Sequence, residues 1–188
     1  GSLVNLLGFF MSELHISTYD RFLSISSVAF DISILEILLP ITSGATLILP
    51  DERHYKDPIY LARTLEEFKV NFVQSTPTML KHLVKLIDKK TLSHLTIMCG
   101  GEALPTSMGT STASKCKSLL NLYGPAETTI WSTISKVNAS KAITIGKPIS
   151  NTYCLVLDCQ NKALPKGSIG NLCIGGVGVS PGYIDSKL

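Results

Sequence analysis

Apolar residues return at Leu3, Leu6, Leu7, Phe10, Met11 and Leu14, the spacing of one helix face, so the N-terminal stretch predicts an amphipathic helix ending near Ser17 and Thr18. Arg21 to Ser26 shifts toward alternation and predicts a strand. Phe30 to Leu39 reads as a second helix, stopped by Pro40. Ala45 to Leu49 is β-rich and ends at Pro50. Asp57-Pro58 is a helix start, with Asp as N-cap and Pro at the first helical position, and Ile59 to Phe68 carries the apolar face. Asn71 to Gln74 is a short strand, and Thr76-Pro77 opens a helix through Leu80, Leu83, Val84 and Ile87. Leu95 to Cys99 reads as a buried strand, a helix starts near Pro105, and Lys117 to Leu122 is the next strand.

Strand and helix in alternation imply an α/β fold, a mostly parallel sheet covered by helices, whose ligands gather beyond the carboxyl ends of the strands. Asp31, Gln74, Cys99 to Gly101 and Asn121 to Glu127 all follow such strands, which places them on one edge. After Ile130 the texture changes. Ile130 to Ser135, Ile143 to Lys147, Tyr153 to Leu157 and Ile169 to Ile174 are short strands between Gly, Pro, Asn and Asp, the pattern of an antiparallel or barrel-like part. The expected division is an α/β core subdomain over 1–140 and a β-rich portion over 141–188, with Asp158 to Lys166 as a hairpin loop.

Composition narrows the function classes. The 188 residues, 45% hydrophobic and 16% charged, suit one soluble domain with a sizeable core. A net charge of +3 without a Lys/Arg run gives no footprint for nucleic acid. No apolar run reaches the roughly 18 to 20 residues of a membrane span, and Leu3 to Met11 lacks the basic leader of a signal peptide. Cys99, Cys116, Cys154, Cys159 and Cys173 form no Cys-x-x-Cys pair, which argues against zinc and disulfides and for reduced thiols in a cytoplasmic protein.

The chemistry concentrates in Asn121-Leu122-Tyr123-Gly124-Pro125-Ala126-Glu127-Thr128-Thr129, where a strand ends in a Gly-Pro turn. An Asn amide can pair with a purine edge, a Tyr ring can cover its face, and a lone Glu beside hydroxyls can hold Mg2+ against phosphate. On this nonapeptide alone, a tight turn with an exposed Glu is an equal reading. Two further stretches decide between them: Phe30-Asp31-Ile32-Ser33 leading into an apolar helix, and the glycine-rich run from Gly170 to Tyr183. In this order and spacing, over about Leu3 to Ile184, the three resemble the adenylation domains of nonribosomal peptide synthetases, in the adenylate-forming superfamily.

The resemblance implies that an amino acid attacks ATP to give an aminoacyl-AMP, which is passed to a phosphopantetheine thiol on a carrier protein. It implies carrier and condensation domains as partners in the same assembly line. Asn121 would bind the adenine edge; Tyr123, Gly124 and Ala126 would stand with the Gly100-Gly101-Glu102 loop around the nucleotide; and Glu127 would ligate Mg2+ as the catalytic carboxylate. Asp31 would bind the substrate's α-ammonium, although by itself a carboxylate there reads as a helix cap. The implied side-chain pocket is Ile32, Leu35, Gln74, Ile97, Cys99, Leu122, Ile130 and Trp131, a series similar to that of glycine-activating domains except for Cys99 where Gly is usual. A pocket filled by bulky groups favours glycine by excluding larger side chains.

Departures from the pattern set the alternatives. The family's phosphate loop, its ribose-binding Thr-Gly-Asp motif and its lid lysine are absent from these residues; Ala126, Asn171 and Pro181 replace usual Thr, Glu and Arg. The implied reading is the central piece of a larger enzyme, inactive alone. The alternatives are an acyl- or aryl-acid CoA ligase, disfavoured by Asp31, and a degenerate, non-catalytic binding module.

Overall fold

The computed structural model describes residues 1–51 and 53–183, so the end of the expected β-rich portion, 184–188, lies outside the described residues. Helix α1 (Ser2–Leu14) is followed by β1 (Arg21–Leu23), α2 (Ile32–Ser43), β2 (Thr46–Ile48), α3 (Pro58–Glu67) and β3 (Phe72–Ser75). Then come α4 (Pro77–Leu86), α5 (Lys89–His94), β4 (Thr96–Cys99), α6 (Thr106–Ala113) and β5 (Ser118–Tyr123). The remainder is β6 (Thr133–Lys136), β7 (Lys147–Pro148), β8 (Thr152–Leu157) and β9 (Asn171–Gly176). Seven strands form one sheet in the order β2-β1-β3-β4-β5-β6-β7. Its first five strands are parallel, and β6 and β7 add on antiparallel. The sheet thus extends past Ser140, and the separate antiparallel pair is β8 with β9.

Helix starts follow their capping chemistry. The Asp57 carboxylate accepts the Ile59 N–H at 2.9 Å, and the Thr76 hydroxyl accepts from Met79 N–H, each with Pro just inside the helix. Pro40 does not stop α2, contrary to the expected boundary; the helix runs on to Ser43 and ends at Gly44 in the left-handed region. The proline sits in the last turn and removes one backbone donor, the one that Glu36 O would accept, while the following hydroxyls bond back to the helix, Thr42 to Leu38 O and Ser43 to Leu39 O, both at 2.7 Å. The short α5 has no counterpart in the periodicity.

The sheet is covered on both faces. On one, Leu61, Leu65, Leu80 and Leu83 of α3 and α4 pack on Val73, Ile97 and Leu119. On the other, Leu6 and Phe10 of α1 and Leu35 and Leu39 of α2 pack on Phe22, Phe72, Met98, Leu120 and Trp131. Phe22 and Phe72 stack across β1 and β3 with ring centroids 4.6 Å apart. Among the described residues no helix is long and apolar enough to cross a membrane.

Candidate functional site

Four loops meet beyond the carboxyl ends of β1, β3, β4 and β5. Asp31 stands at the N-terminus of α2 with helical φ and ψ, and its carboxylate makes no capping bond. It is half-buried and lines a cavity of about 440 Å3 with Phe30, Ile32, Thr76 and the Gly101-Glu102 loop. A second cavity, about 380 Å3, is lined by Asn121, Leu122, Tyr123, Gly124 and Trp131. The same Gly101 and Glu102 form one of its walls, so the two cavities adjoin along that loop. Glu102 is fixed from outside, its carboxylate accepting the Thr78 hydroxyl at 2.6 Å.

A buried polar chain ties the edge together. The Trp131 indole N–H donates to Gln74 Oε1 at 2.9 Å. The Gln74 amide nitrogen donates to Ile32 O at 2.9 Å and to Glu36 Oε1 at 3.0 Å. Glu36 Oε2 accepts the Ile25 and Ser26 backbone N–H groups at 2.8 and 2.9 Å and the Ser24 hydroxyl at 3.0 Å, while the Ser26 hydroxyl donates to Oε1. Burial pushes the Glu36 carboxyl above its ordinary value, against the pull of these donors. Sequence reasoning passes over Glu36, although it is the one charged residue in the apolar run Ile32–Ser43. A charge in that setting is its signal.

The expected pocket residues divide between the two faces of the sheet. Leu35, Leu122, Ile130 and Trp131 are buried together in the α1/α2 cluster, with Ile32 packed against it. Ile97 and Cys99 are not brought to them: both belong to the α3/α4 cluster on the opposite face. Alternate residues of a strand face opposite sides, and β4 pairs Met98, not Ile97, beside Gln74. Met98 is therefore the strand residue that packs with Trp131. Gly100 follows on the same side, where an added Cβ would stand 2.4 Å from Trp131 Cη2 and 2.7 Å from the Leu122 carbonyl oxygen. Only a residue without a side chain lets the indole lie there. Burial pushes the Cys99 thiol up to about 12, with the Glu102 charge adding to it, so it is neutral and unreactive.

The turn after β5 is strained. Thr129 and Ile130 both have positive φ, 65° and 68°, rare for non-glycine and more so for a β-branched residue. At Gly124 an added Cβ would stand 2.6 Å from both Ile130 O and Ser132 N, so the Gly-Pro turn can press against the returning chain. Asn121 is buried and donates to Thr144 O at 2.9 Å. Tyr123 is 40% exposed, its ring open to a ligand. Ala126 and Glu127 lie on an exposed 3-10 turn, Ala126–Thr128. The Tyr183 hydroxyl donates to the Glu127 carboxylate and holds it below its ordinary value, so the group is ionised at neutral pH.

An exposed, ionised single carboxylate fits Mg2+, which takes one or two protein carboxylates and completes its shell with phosphate and water. Among the described residues no group of three or more His, Cys, Asp or Glu could form an all-protein cage.

A family profile described as AMP-binding enzyme matches residues 1–184. Over 184 residues the chain is 39% identical to a dimodular nonribosomal peptide synthase of Bacillus subtilis (strain 168), covering 97% of this chain and 8% of that protein. It is 31% identical over 188 residues to gramicidin S synthase 2 of Aneurinibacillus migulanus, covering 98% of this chain and 4% of that protein. It therefore spans a small part of these relatives. A crystal structure of a four-domain nonribosomal peptide synthetase bound to AMP and glycine matches with a TM-score of 0.89 at 36% identity, over 98% of this chain and 14% of that one. A synthetase solved in an AMPPNP-bound form matches with a TM-score of 0.91 over 99% of this chain and 21% of that one, at 24% identity, a likeness of fold alone.

Proposed function

Since this chain belongs to the AMP-binding enzyme family, as part of an adenylation domain of the nonribosomal peptide synthetase type, we propose that its strand-edge crevice activates an amino acid, glycine. The amino acid's carboxylate attacks the α-phosphate of ATP, pyrophosphate leaves, and an aminoacyl-AMP remains. A phosphopantetheine thiol on a carrier domain of the same cytoplasmic assembly line then takes the acyl group and releases AMP. Such displacement is served by positioning and charge stabilisation.

The observation that carries this reading is Asp31: a half-buried carboxylate at a helix start that caps nothing and instead lines a cavity. Its role is to hold the α-ammonium, which a fatty or aryl acid lacks. Tyr123 covers one face of the adenine, the Gly100-Gly101-Glu102 loop the other, and Asn121 retains one amide N–H and its carbonyl oxygen for the base edge. Glu127 would hold Mg2+, which when bound neutralises phosphate charge. The buried Trp131 over Gly100, with Leu35 and Leu122, leaves room for the smallest amino acid, and the glycine-bound relative at 36% identity is consistent with that choice.

The test is ATP-pyrophosphate exchange by a full-length synthetase carrying this chain, across a panel of amino acids. Glycine should give the highest kcat/KM, with alanine next. Preference for a large or carboxylic-only substrate would overturn the reading, while steady exchange by residues 1–188 alone would overturn the separate expectation that this piece is inactive by itself.

A further inference from the structure

We propose that Glu36 is a positioning residue of the amino-acid pocket: it fixes which way round the Gln74 amide lies, and thereby holds the Trp131 indole in the cavity wall. The pocket half of this rests on the function proposed above; the structural half does not.

Donors and acceptors decide the direction. An amide side chain has two ends, and nothing in its shape says which faces which neighbour. The Trp131 indole N–H can only donate, so Gln74 must turn its oxygen toward it. At the other end the amide nitrogen needs acceptors, and it finds the Ile32 carbonyl and Glu36 Oε1. Glu36 in turn is fixed by the Ile25 and Ser26 backbone N–H groups on Oε2, which cannot reverse. Direction therefore passes from the β1–α2 loop through Glu36 and Gln74 to Trp131. The chain is complete, with no buried side-chain polar atom left without a partner among the described residues. In such a network each bond depends on its neighbours.

Replacing Glu36 by glutamine keeps size and shape but breaks the logic. The backbone donors require the new side chain to put its oxygen at the Oε2 position, so its NH2 group faces the NH2 group of Gln74. The amide of Gln74 must then turn over, which sets its nitrogen against the indole N–H and its oxygen against the Ile32 carbonyl. Trp131 has to move, and with it the wall that excludes a methyl group. The double variant Glu36→Gln with Gln74→Glu restores the pattern. A buried, protonated carboxyl in place of the Gln74 amide donates to Ile32 O, accepts from the amide that replaces Glu36 and still accepts from the indole.

Trp131 is the chain's single tryptophan, so its indole N–H resonance and its emission report this site alone. The experiment records both in the 188-residue chain, and the glycine-to-alanine ratio of kcat/KM in the full-length synthetase carrying it. E36Q should displace the indole resonance and lower the ratio about tenfold, the scale of one methylene's discrimination. The double variant should recover both. A folded E36Q with unchanged indole signal and ratio overturns the assignment of Glu36. So does a double variant that fails to fold or folds with the indole displaced, which keeps the test decisive should E36Q itself not fold. If the unsubstituted synthetase activates no amino acid, the pocket role falls with the functional reading, and the indole signal still decides whether Glu36 orients Gln74.

Discussion

At Asp31 the nearby N–H groups of Ser33 and Ile34 already go to the Phe30 and Asp31 carbonyls, so the carboxylate has nothing to cap and lines a cavity instead. An ion pair with an ammonium at about 4 Å is worth on the order of 4 kcal/mol at an effective dielectric near 20. Asp31→Asn should therefore lower kcat/KM for glycine in the full-length synthetase by up to about a thousandfold while leaving the fold intact, as pyrophosphate exchange and circular dichroism would show. Glu36 behaves differently. Its partners are hydroxyls, an amide and backbone N–H groups, with no charged side chain among them, and burial raises its carboxyl above 4.5. The native chain then keeps a proton that the unfolded chain releases. Stability from this group is full below 4.5 and is lost as pH rises through the raised value. Urea midpoints at a series of pH values should show that decline, and E36Q, which does not titrate, should lack it. Cys99 and Cys159 make a third contrast: an alkylating reagent at mildly alkaline pH should label exposed Cys159 and spare Cys99 until unfolding, read by mass spectrometry.

Elements show where pattern reading succeeds and where it stops. Asp57-Pro58 and Thr76-Pro77 are legible because a cap and a fixed φ act within one turn, independent of the rest of the molecule. Asp57→Ala should accordingly lower stability by about 1 kcal/mol in urea denaturation. Pro40 misleads because a proline this late in a helix removes a single backbone bond and leaves only three residues to complete before Gly44 ends the helix in the left-handed region. The helix Lys89–His94 is too short to show a period, leaving the Asp88 cap as its one local sign. In β4 the strand is legible, but the motif series takes Ile97 and Cys99 for pocket residues. Period-two alternation anchored on Gln74 selects Met98 and Gly100 instead. A family pattern carried over by count is vulnerable to a shift of one, and the facing of side chains corrects it.

Across the whole molecule, parallel topology gathers Asp31 and the strand ends bearing Gln74 and Tyr123 at one edge, as alternation of strand and helix implies. What alternation does not contain is the contact between distant segments. Residues just after β9 return to the Glu127 turn: Thr129 donates to Gly178 O at 2.7 Å, Ser180 N–H to Glu127 O at 2.7 Å, and the Tyr183 hydroxyl to the Glu127 carboxylate. Tyr183→Phe should let the Glu127 carboxyl titrate higher, toward 4.5, in an NMR-monitored pH series. Because the carboxyl is depressed in the fold, the contact stabilises above the ordinary carboxylate range and is lost as pH falls through the depressed value. Gly101 and Glu102, finally, serve both chambers at once. On the function proposed above, reshaping that rim to admit a larger amino acid would also reshape the berth of the nucleotide. Substrate breadth and ATP affinity should then drift together in selections that mutate the rim, and separate cleanly only in those confined to the Asp31 side, at Phe30, Ile32 and Thr76.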